Sequence, residues 1–514
     1  MWQAAFSLEP AALERRTRWI IAALLVAAVA WGLTDVRKRG ALDPNHVTAH
    51  MTDFTCFTEA GAAFFDGRDP YRVTNARGWE YYYPPLFALF VAPLARFDTQ
   101  IQCLVWYALS VLMCYGCYYE SRRLWRHFLA PDDSPRRDLA AMRSDAAATP
   151  TRSTLSSRWL LWLPWIAAAT VAFPVLNCLQ RGQVGVAKAY FLLLGLRWLY
   201  ESRQRRWAFA AGVVFIIPIV IKITPILPVG ILALGIAVEA LWSRRKRDWR
   251  RAASLGTGLC AGMFLFFWLI PACILGWQSN QRYLSQWYRE VATRANDLNH
   301  ADRCGNTRTI RNQSLSNALY RGGNWVAYEF FGGQDDRLSD NDQFQLLGLM
   351  PMDAPAVEKL LYLLRNGLAL LAVAGMVRMA RLGDQLGMAA MFGLATAATL
   401  IVAPIGRAHY FMLLLPAIFL VPLWFRRRGE TRWARFSAGL PLVLCVAHYA
   451  ALDYAGRIGL LGLGTTVWYA AVTAKLLFAK PSANSAVLQT PVAEPSGSAE
   501  PPAPRSGDSR RLAA

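Results

Sequence analysis

The stretch AASLGTGLCAGMFLFFWLIPACIL, residues 252–275, decides the fold because it carries no charged side chain and is long enough to cross a membrane. A hydrocarbon core of roughly 30 Å needs about 20 apolar residues in a helix. The whole chain of 514 residues shares this character, since 55% are hydrophobic and only 17% are charged. Backbone groups in lipid must satisfy their own hydrogen bonds, which favours helices. The sequence therefore predicts an all-α integral membrane protein.

About twelve apolar blocks of near-spanning length occur along the chain. They cover residues 19–33, 101–119, 159–176, 185–200, 207–221, 223–242, 252–275, 357–377, 386–402, 410–425, 436–451 and 459–478. Short basic clusters lie between them, such as Arg15-Arg16 and residues 244–247 and 426–428. Connectors rich in Lys and Arg stay in the cytoplasm, so we expect both termini there.

The connectors divide the predicted bundle, residues 19–479, into two faces. Residues 1–18, 120–158 and 480–514 are expected in the cytoplasm, and the last of these is Pro-, Ser- and Ala-rich and predicted to be disordered. Residues 34–97 and 276–356 are expected to form outer loops. The short apolar piece at residues 86–94 is flanked by prolines and predicts a helix lying at the interface.

The net charge of +21 comes from these same basic clusters. It therefore reflects membrane orientation and contact with membrane lipid, and we predict no nucleic-acid partner. Nine cysteines give no disulfide framework. Cys56, Cys178 and Cys304 fall in predicted outer segments, where a disulfide is permitted but no pair is selected.

Polar side chains at the outer ends of the predicted helices are far apart in the sequence but share one membrane face. They are Asp53, Arg181, Gln183, Lys222, Asn312, Gln313, Arg407 and His409. Lys222 stands in the apolar run IVIKITPI, residues 219–226. A charge near the hydrocarbon is costly and usually functional, so a lipid phosphate is its expected partner. A lysine that merely extends to the membrane surface is the alternative.

The first outer loop contains a candidate general base. Asp53 follows the first apolar block within TDF, residues 52–54, and a carboxylate in apolar company can accept a proton. An aspartate that is solvated or caps a helix is the alternative. The other loop carboxylates compete with it: Asp43, Glu59, Asp66 and Asp69. The evidence for a metal site is weak, since it consists of His409 alone, or of His300 with Asp302. We predict neither metal nor cofactor.

Several motifs, in order, resemble those of glycosyltransferase family 87. The first loop carries TDF (52–54), Gly61, DGRDPY (66–71) and YYPPLFAL (82–89) with APL (92–94). Later motifs are GQ (182–183), Lys222 with Pro225, NQSL (312–315), and API (403–405) with His409. Gly185, Arg407 and Tyr410 stand where the family often has Asn, Trp and a second His.

The resemblance implies a GT-C-type bundle with short interfacial helices in its outer loops. It implies a hexosyltransferase, in particular a mannosyltransferase, that takes its sugar from a polyprenyl phosphate and passes it to a lipid-linked or glycan acceptor. Asp53 is then the catalytic base in an inverting displacement. Lys222, Arg407, Arg181 and His409 are implied to bind the donor phosphate and lipid. Gln183, Asn312, Gln313 and Tyr83 are implied to bind substrate. The implied location is the inner membrane, with the active site outside the cytoplasm.

Two other functions fit the same topology. A glycolipid transporter, or flippase, is disfavoured because such proteins bind at the membrane midplane between internal repeats, and no repeat is visible here. A glycan ligase differs only in what leaves with the lipid. The residues do not distinguish mannose from another hexose or arabinose, and they do not name the acceptor.

Overall fold

The computed structural model describes residues 10–41, 51–129, 157–201, 204–293, 312–317, 345–346, 350–351, 355–403 and 405–480. The chain divides into Met1–Ala479 and Lys480–Ala514. The predicted tail, apart from Lys480, lies outside the described residues. So do residues 130–156 of the predicted cytoplasmic loop and much of the second outer loop, with His300, Asp302 and Cys304.

Along the first part of the chain, two short helices follow one long helix and precede another. The helices are α1 (Pro10–Trp31), α2 (Thr55–Phe65), α3 (Pro85–Val91) and α4 (Thr99–Leu129). A π-helical turn, Gly32–Val36, continues α1, and a 3₁₀ turn, Ala92–Arg96, continues α3. Pro85 occupies the first turn of α3, where a missing N–H costs nothing. A short helix thus covers most of the segment predicted at residues 86–94.

The middle of the chain consists of consecutive long helices followed by a shorter one. They are α5 (Ser157–Arg181), α6 (Gly185–Glu201), α7 (Arg205–Ile221), α8 (Ile226–Ser243), α9 (Lys246–Met263), α10 (Ile270–Leu275) and α11 (Trp277–Trp287). A π-helical stretch, Phe264–Leu269, joins α9 to α10 into one long helix. A Cβ on Gly258 would lie 2.1 Å from the Phe209 carbonyl oxygen. Glycine there allows α7 and α9 to pack closely.

The last described part of the chain contains six further α-helices. They are α12 (Pro355–Arg381), α13 (Gln385–Val402), α14 (Leu415–Arg427), α15 (Thr431–Ala450), α16 (Leu452–Arg457) and α17 (Leu460–Leu477). Every residue of α13 from Leu386 to Ile401 is buried. The Asp384 carboxylate accepts hydrogen bonds from the Gly387 N–H at 2.8 Å and the Trp424 indole at 2.7 Å. This aspartate caps α13 and ties it to α14. Before α12, β1 (Gln345–Leu346) pairs antiparallel with β2 (Met350–Pro351).

Helix α4 extends well past residue 119, where the sequence placed the end of a span. The extension carries charged groups that pair with α6. Arg197 bonds to Glu120 and, at 2.6 Å, to Glu201, which Arg123 also contacts. The Arg197–Glu120 and Arg123–Glu201 pairs link the two helices and stabilise the charged extension of α4.

Eight helices in the described part of the chain are long and apolar enough to cross a membrane. They are Thr99–Leu129, Trp162–Arg181, Ile226–Ser243, Lys246–Leu275, Lys359–Arg381, Gln385–Val402, Ala408–Arg427 and Leu460–Leu477. The prediction of an all-helical, multi-pass membrane protein is confirmed. The count of twelve stays a prediction, since α6 and α7 have 17 residues each and are slightly shorter than these eight.

Candidate active site

Asp53 is fixed in place by main-chain contacts just before α2. Its N–H donates to the Arg181 carbonyl at 2.8 Å, and the Phe54 N–H donates to the Thr52 hydroxyl at 3.2 Å. The Phe54 ring stacks on Trp106 with centroids 5.1 Å apart. These contacts keep Asp53 buried, with 7% of the residue exposed. The first loop is therefore attached to the C-terminal end of α5 at the predicted base.

Three side chains bind the Asp53 carboxylate. Arg77 donates to Oδ1 at 2.6 Å. Arg181 donates to Oδ2 at 2.9 Å, and Gln183 donates to the same oxygen at 2.6 Å. The sequence placed Arg181 and Gln183 on one face with Asp53, and the structure brings them into contact. It did not single out Arg77, one of several arginines in the first loop.

Gly182 allows Arg181 and Gln183 to reach the same carboxylate. Its φ of +66° is in the left-handed region, which L side chains rarely adopt. A Cβ at this position would lie 2.6 Å from the Cβ of Phe54. The turn between α5 and α6 therefore depends on glycine both for its backbone angle and for its contact with the first loop.

A cavity of about 350 Å³ lies beside this carboxylate cluster. Four arginines contribute to its wall: Arg39, Arg77, Arg181 and Arg407. Burial lowers the pKa of Arg407 from its ordinary value, but an arginine guanidinium stays protonated in proteins. Its central carbon lies 4.8 Å from the Trp79 ring centroid, and that of Arg77 lies 6.0 Å away. The cavity is therefore suited to an anionic or strongly polar ligand.

His409 also lines this cavity and is 2% exposed. Its Nε2 has no hydrogen-bond partner among the residues that the structure describes. Its carbonyl oxygen accepts from the Cys178 thiol at 3.3 Å, which ties the segment before α14 to α5. A buried imidazole nitrogen without a partner is costly, so a ligand in the cavity is a natural partner for it.

Lys222 belongs to a second cationic group, located at the break between α7 and α8. Its backbone is extended there, and its ammonium donates to the Tyr410 hydroxyl. The ammonium also lies 4.1 Å from the Tyr410 ring centroid and 5.5 Å from that of Tyr83. Burial raises the pKa of the Tyr83 phenol well above its usual value, so Tyr83 remains protonated.

Lys188 completes this second group. It lies on α6, is 1% exposed, and places its ammonium 5.1 Å from the Tyr410 ring centroid. The sequence analysis did not identify it, although a lone lysine in the apolar run GVAKAYFLLLG, residues 185–195, was the available signal.

Comparison with known proteins identifies the class of reaction. A sequence model of glycosyltransferase family 87 matches residues 81–404, which is more than half of the chain. The chain belongs to glycosyltransferase family 87. No curated protein and no solved structure matched it.

Family membership means that the chain is a glycosyltransferase with a sugar donor and an acceptor. The matched segment contains Tyr83, Arg181, Gln183, Lys222, Asn312 and Gln313. It begins after Asp53 and ends before Arg407 and His409. The roles of individual residues in this glycosyltransferase therefore remain proposals.

Asn312 and Gln313 form hydrogen bonds with main-chain groups, mainly in the segment before α14. Asn312 Oδ1 accepts from the Gly406 N–H at 2.9 Å and the Ser314 N–H at 3.2 Å. The Gln313 N–H donates to the Gly406 carbonyl at 2.7 Å, and its side chain donates to the Gly456 carbonyl at 3.2 Å. Both side chains are buried, so their contacts hold Arg407 in position. Their predicted substrate contacts stay a prediction.

No group of three His, Cys, Asp or Glu side chains suited to a metal occurs in the described parts of this glycosyltransferase. His300 and Asp302 lie outside those parts, so metal independence stays a prediction. Cys56 and Cys178 are buried free thiols. Burial raises the pKa of the Cys56 thiol well above its usual value, with the Asp53 charge contributing, so this thiol is inert.

Proposed function

We propose that this glycosyltransferase moves a hexose, with mannose as the first choice, from a polyprenyl-phosphate sugar to a lipid-linked or glycan acceptor. The reaction is placed on the outer face of the inner membrane, with both termini in the cytoplasm and a GT-C-type bundle as the scaffold. The observation that carries the proposal is a nine-tenths buried carboxylate, Asp53, beside a cavity walled by arginines. Its acid–base and cationic groups suit the departure of a phosphate.

Asp53 is proposed as the general base. Among the described residues its Oδ1 accepts one hydrogen bond, from Arg77. An ionised carboxylate offers about four acceptor sites, so Oδ1 retains one for an acceptor hydroxyl. Arg181 and Gln183 hold Oδ2 and fix the direction in which Oδ1 points. Fixed orientation is what a base needs in order to receive a proton in the transition state.

The proposed step is a single displacement. The acceptor oxygen forms a bond to the anomeric carbon while the bond from that carbon to the phosphate oxygen breaks. The hydroxyl proton passes to Asp53, and the lipid phosphate leaves with the electron pair. Inversion at the anomeric carbon follows from attack opposite the leaving group.

Cationic groups are proposed to stabilise the charge that develops on the leaving phosphate. Arg407 and His409 face the cavity, and Lys222 extends from the break between α7 and α8. Positioned donors at a developing anion account for much of the rate in many enzymes. Arg181 takes part from its place beside Asp53. Tyr83, protonated and 5.5 Å from the Lys222 ammonium, is proposed to contact the sugar.

The test is transfer of radiolabelled sugar by purified Asp53→Asn protein. The assay offers a panel of polyprenyl-phosphate sugars with host membrane extract as the source of acceptor. Asp66→Asn is the matched control, because Asp66 is in the same loop but exposed, and its ion-pair partner among the described residues is Arg68 at 2.8 Å. We expect about a 10²–10⁴-fold loss for Asp53→Asn, the usual contribution of a general base, and little change for the control.

The outcome distinguishes this reaction from its rivals. Full turnover by Asp53→Asn removes Asp53 as the base. Movement of an intact glycolipid without a new glycosidic bond contradicts the transferase proposal in favour of a transporter. Transfer of a whole glycan, rather than a single sugar, identifies a ligase.

A further inference from the structure

The Lys188 ammonium is buried in the bundle without an anionic partner. It projects from α6 at 1% exposure. No residue that the structure describes forms a hydrogen bond or ion pair with it, and the Tyr410 ring is its neighbour at 5.1 Å. Charged side chains at membrane depth are rare, and they usually pair or mark a ligand pathway. A ligand is therefore the expected source of the missing negative charge.

Lys222 brings a second positive charge to the same tyrosine. The Lys188 and Lys222 ammonium nitrogens lie 5.1 and 4.1 Å from one ring centroid, so they are at most about 9 Å apart. Two cations this close repel each other, more strongly in an apolar interior than in water. The Tyr410 ring and hydroxyl reduce that repulsion without neutralising it. The two ammonium groups are therefore suited to bind an anion that carries more than one negative charge.

The nearest proposed functional carboxylate is already engaged elsewhere. Asp53 is held by Arg77 and Arg181, and Lys188 forms no ion pair with it among the described residues. The two lysines and Tyr410 are also absent from the wall of the arginine-lined cavity. We name Lys188 and Lys222, together with Tyr410, the lysine pair.

We propose that the lysine pair binds the phosphate monoester of a polyprenyl lipid. A phosphate monoester carries a charge of about −1.5 to −2 near neutral pH, which matches two ammonium groups. Both lysines lie within or between helices that the sequence assigns to the membrane. This position favours an anion carried on a hydrocarbon chain over a free anion. The choice of lipid rests on the proposed function. The geometry of Lys188 alone points to an anion.

This assignment divides the cationic residues between two tasks. The lysine pair holds the phosphate of the lipid on the bundle side. Arg77 and Arg181 orient the Asp53 base, and Arg181, Arg407 and His409 assist the lysine pair as the phosphate leaves. A lysine at position 188 and a tyrosine at position 410 are both required for this geometry, because Tyr410 is the group that the two ammonium ions share.

Binding of undecaprenyl phosphate to the full chain tests the proposal without requiring catalysis. The wild-type protein, Lys188→Met and Lys359→Met are compared in detergent by native mass spectrometry, with undecaprenol and inorganic phosphate as separate probes. Lys359 is exposed on α12 and is the matched control. We expect at least a tenfold loss of undecaprenyl phosphate binding in Lys188→Met only. Undecaprenol is expected to bind all three proteins alike.

Thermal unfolding provides a second readout. Methionine keeps the length of the side chain and removes its charge, so lipid-free Lys188→Met is expected to melt at a higher temperature than the wild type. Undecaprenyl phosphate is expected to raise the melting temperature of the wild type but not of this variant. Equal binding by folded Lys188→Met and wild type overturns the proposal. Stabilisation by inorganic phosphate with no gain from the lipid chain overturns the assignment to a lipid.

Failure of this site and failure of the proposed function give different results. Lipid binding that depends on Lys188 in a protein that transfers no sugar supports the site and rejects the transferase mechanism. Sugar transfer with donor KM and lipid binding unchanged in Lys188→Met rejects the site and leaves the mechanism in place. Asp53→Asn is expected to bind undecaprenyl phosphate as the wild type does.

Discussion

Replacing Arg181 with methionine should destabilise the protein because it removes one partner from a buried ion pair. The Arg181 and Asp53 side chains are 12% and 10% exposed and 2.9 Å apart. Breaking a buried pair from one side costs about 3–5 kcal/mol. Asp53 retains Arg77 and Gln183, so we expect the lower end, about 3 kcal/mol. That corresponds to about a 100-fold shift in the folding equilibrium.

A double-mutant cycle isolates the ion pair from the packing of the arginine stem. In an Asp53→Asn background the amide carries no charge to compensate, so Arg181→Met should cost only about 1 kcal/mol there. The coupling energy is then about 2 kcal/mol, within the range seen for residues in contact. Equilibrium unfolding in mixed detergent micelles measures each corner of the cycle.

The exposed pair between Arg72 and Glu290 is the control. Its side chains are 49% and 33% exposed at 3.1 Å, and exposed pairs contribute about 0–1 kcal/mol. Arg72→Met should therefore leave stability nearly unchanged. If Arg181→Met costs no more than Arg72→Met, or if the cycle is additive, the Asp53 cluster is not the buried, coupled unit described here.

Two further substitutions test how the site is held. Gly182→Ala should lower the free energy of unfolding by more than about 2 kcal/mol. The left-handed backbone costs an alanine roughly 1–2 kcal/mol, and the new Cβ would also lie only 2.6 Å from the Cβ of Phe54. Gly67 is also at positive φ, but a Cβ there would meet nothing within 4 Å, so Gly67→Ala should carry only the backbone cost. Equal melting temperatures for the two alanine variants would contradict this account. Asn312→Ala should cost about 1–3 kcal/mol by leaving buried N–H groups unsatisfied, including that of Gly406. Lower sugar transfer should accompany that cost, and unchanged transfer would show that the segment carrying Arg407 does not depend on Asn312.

The bundle and part of the site could be predicted from the sequence because both follow from hydrophobicity. Long uncharged runs must be helices in lipid, and alternating basic connectors placed Asp53, Arg181 and Gln183 on one face. Their contact in the structure agrees with that expectation. Membrane topology determines which helix ends share a face, so residues at those ends can be grouped from the sequence.

Other features depend on contacts that the linear sequence does not encode. Arg77 is one of several arginines in the first loop, and only the folded loop shows which of them reaches Asp53. Asn312 was assigned to substrate from a motif, yet its described contacts are to backbone groups. Helix α4 continues past its apolar segment because Glu120 finds Arg197 on another helix. Pattern and hydropathy carry no information about such partners.

The Trp79 ring, flanked by the guanidinium groups of Arg77 and Arg407, gives this enzyme a built-in optical reporter. Indole emission responds to the charges around it, so a ligand that draws either arginine away should change the signal. The chain has 20 tryptophans, and subtracting the spectrum of a Trp79→Phe variant isolates this one. Occupancy of the cavity beside the Asp53 carboxylate then becomes visible in real time, without any label on the sugar.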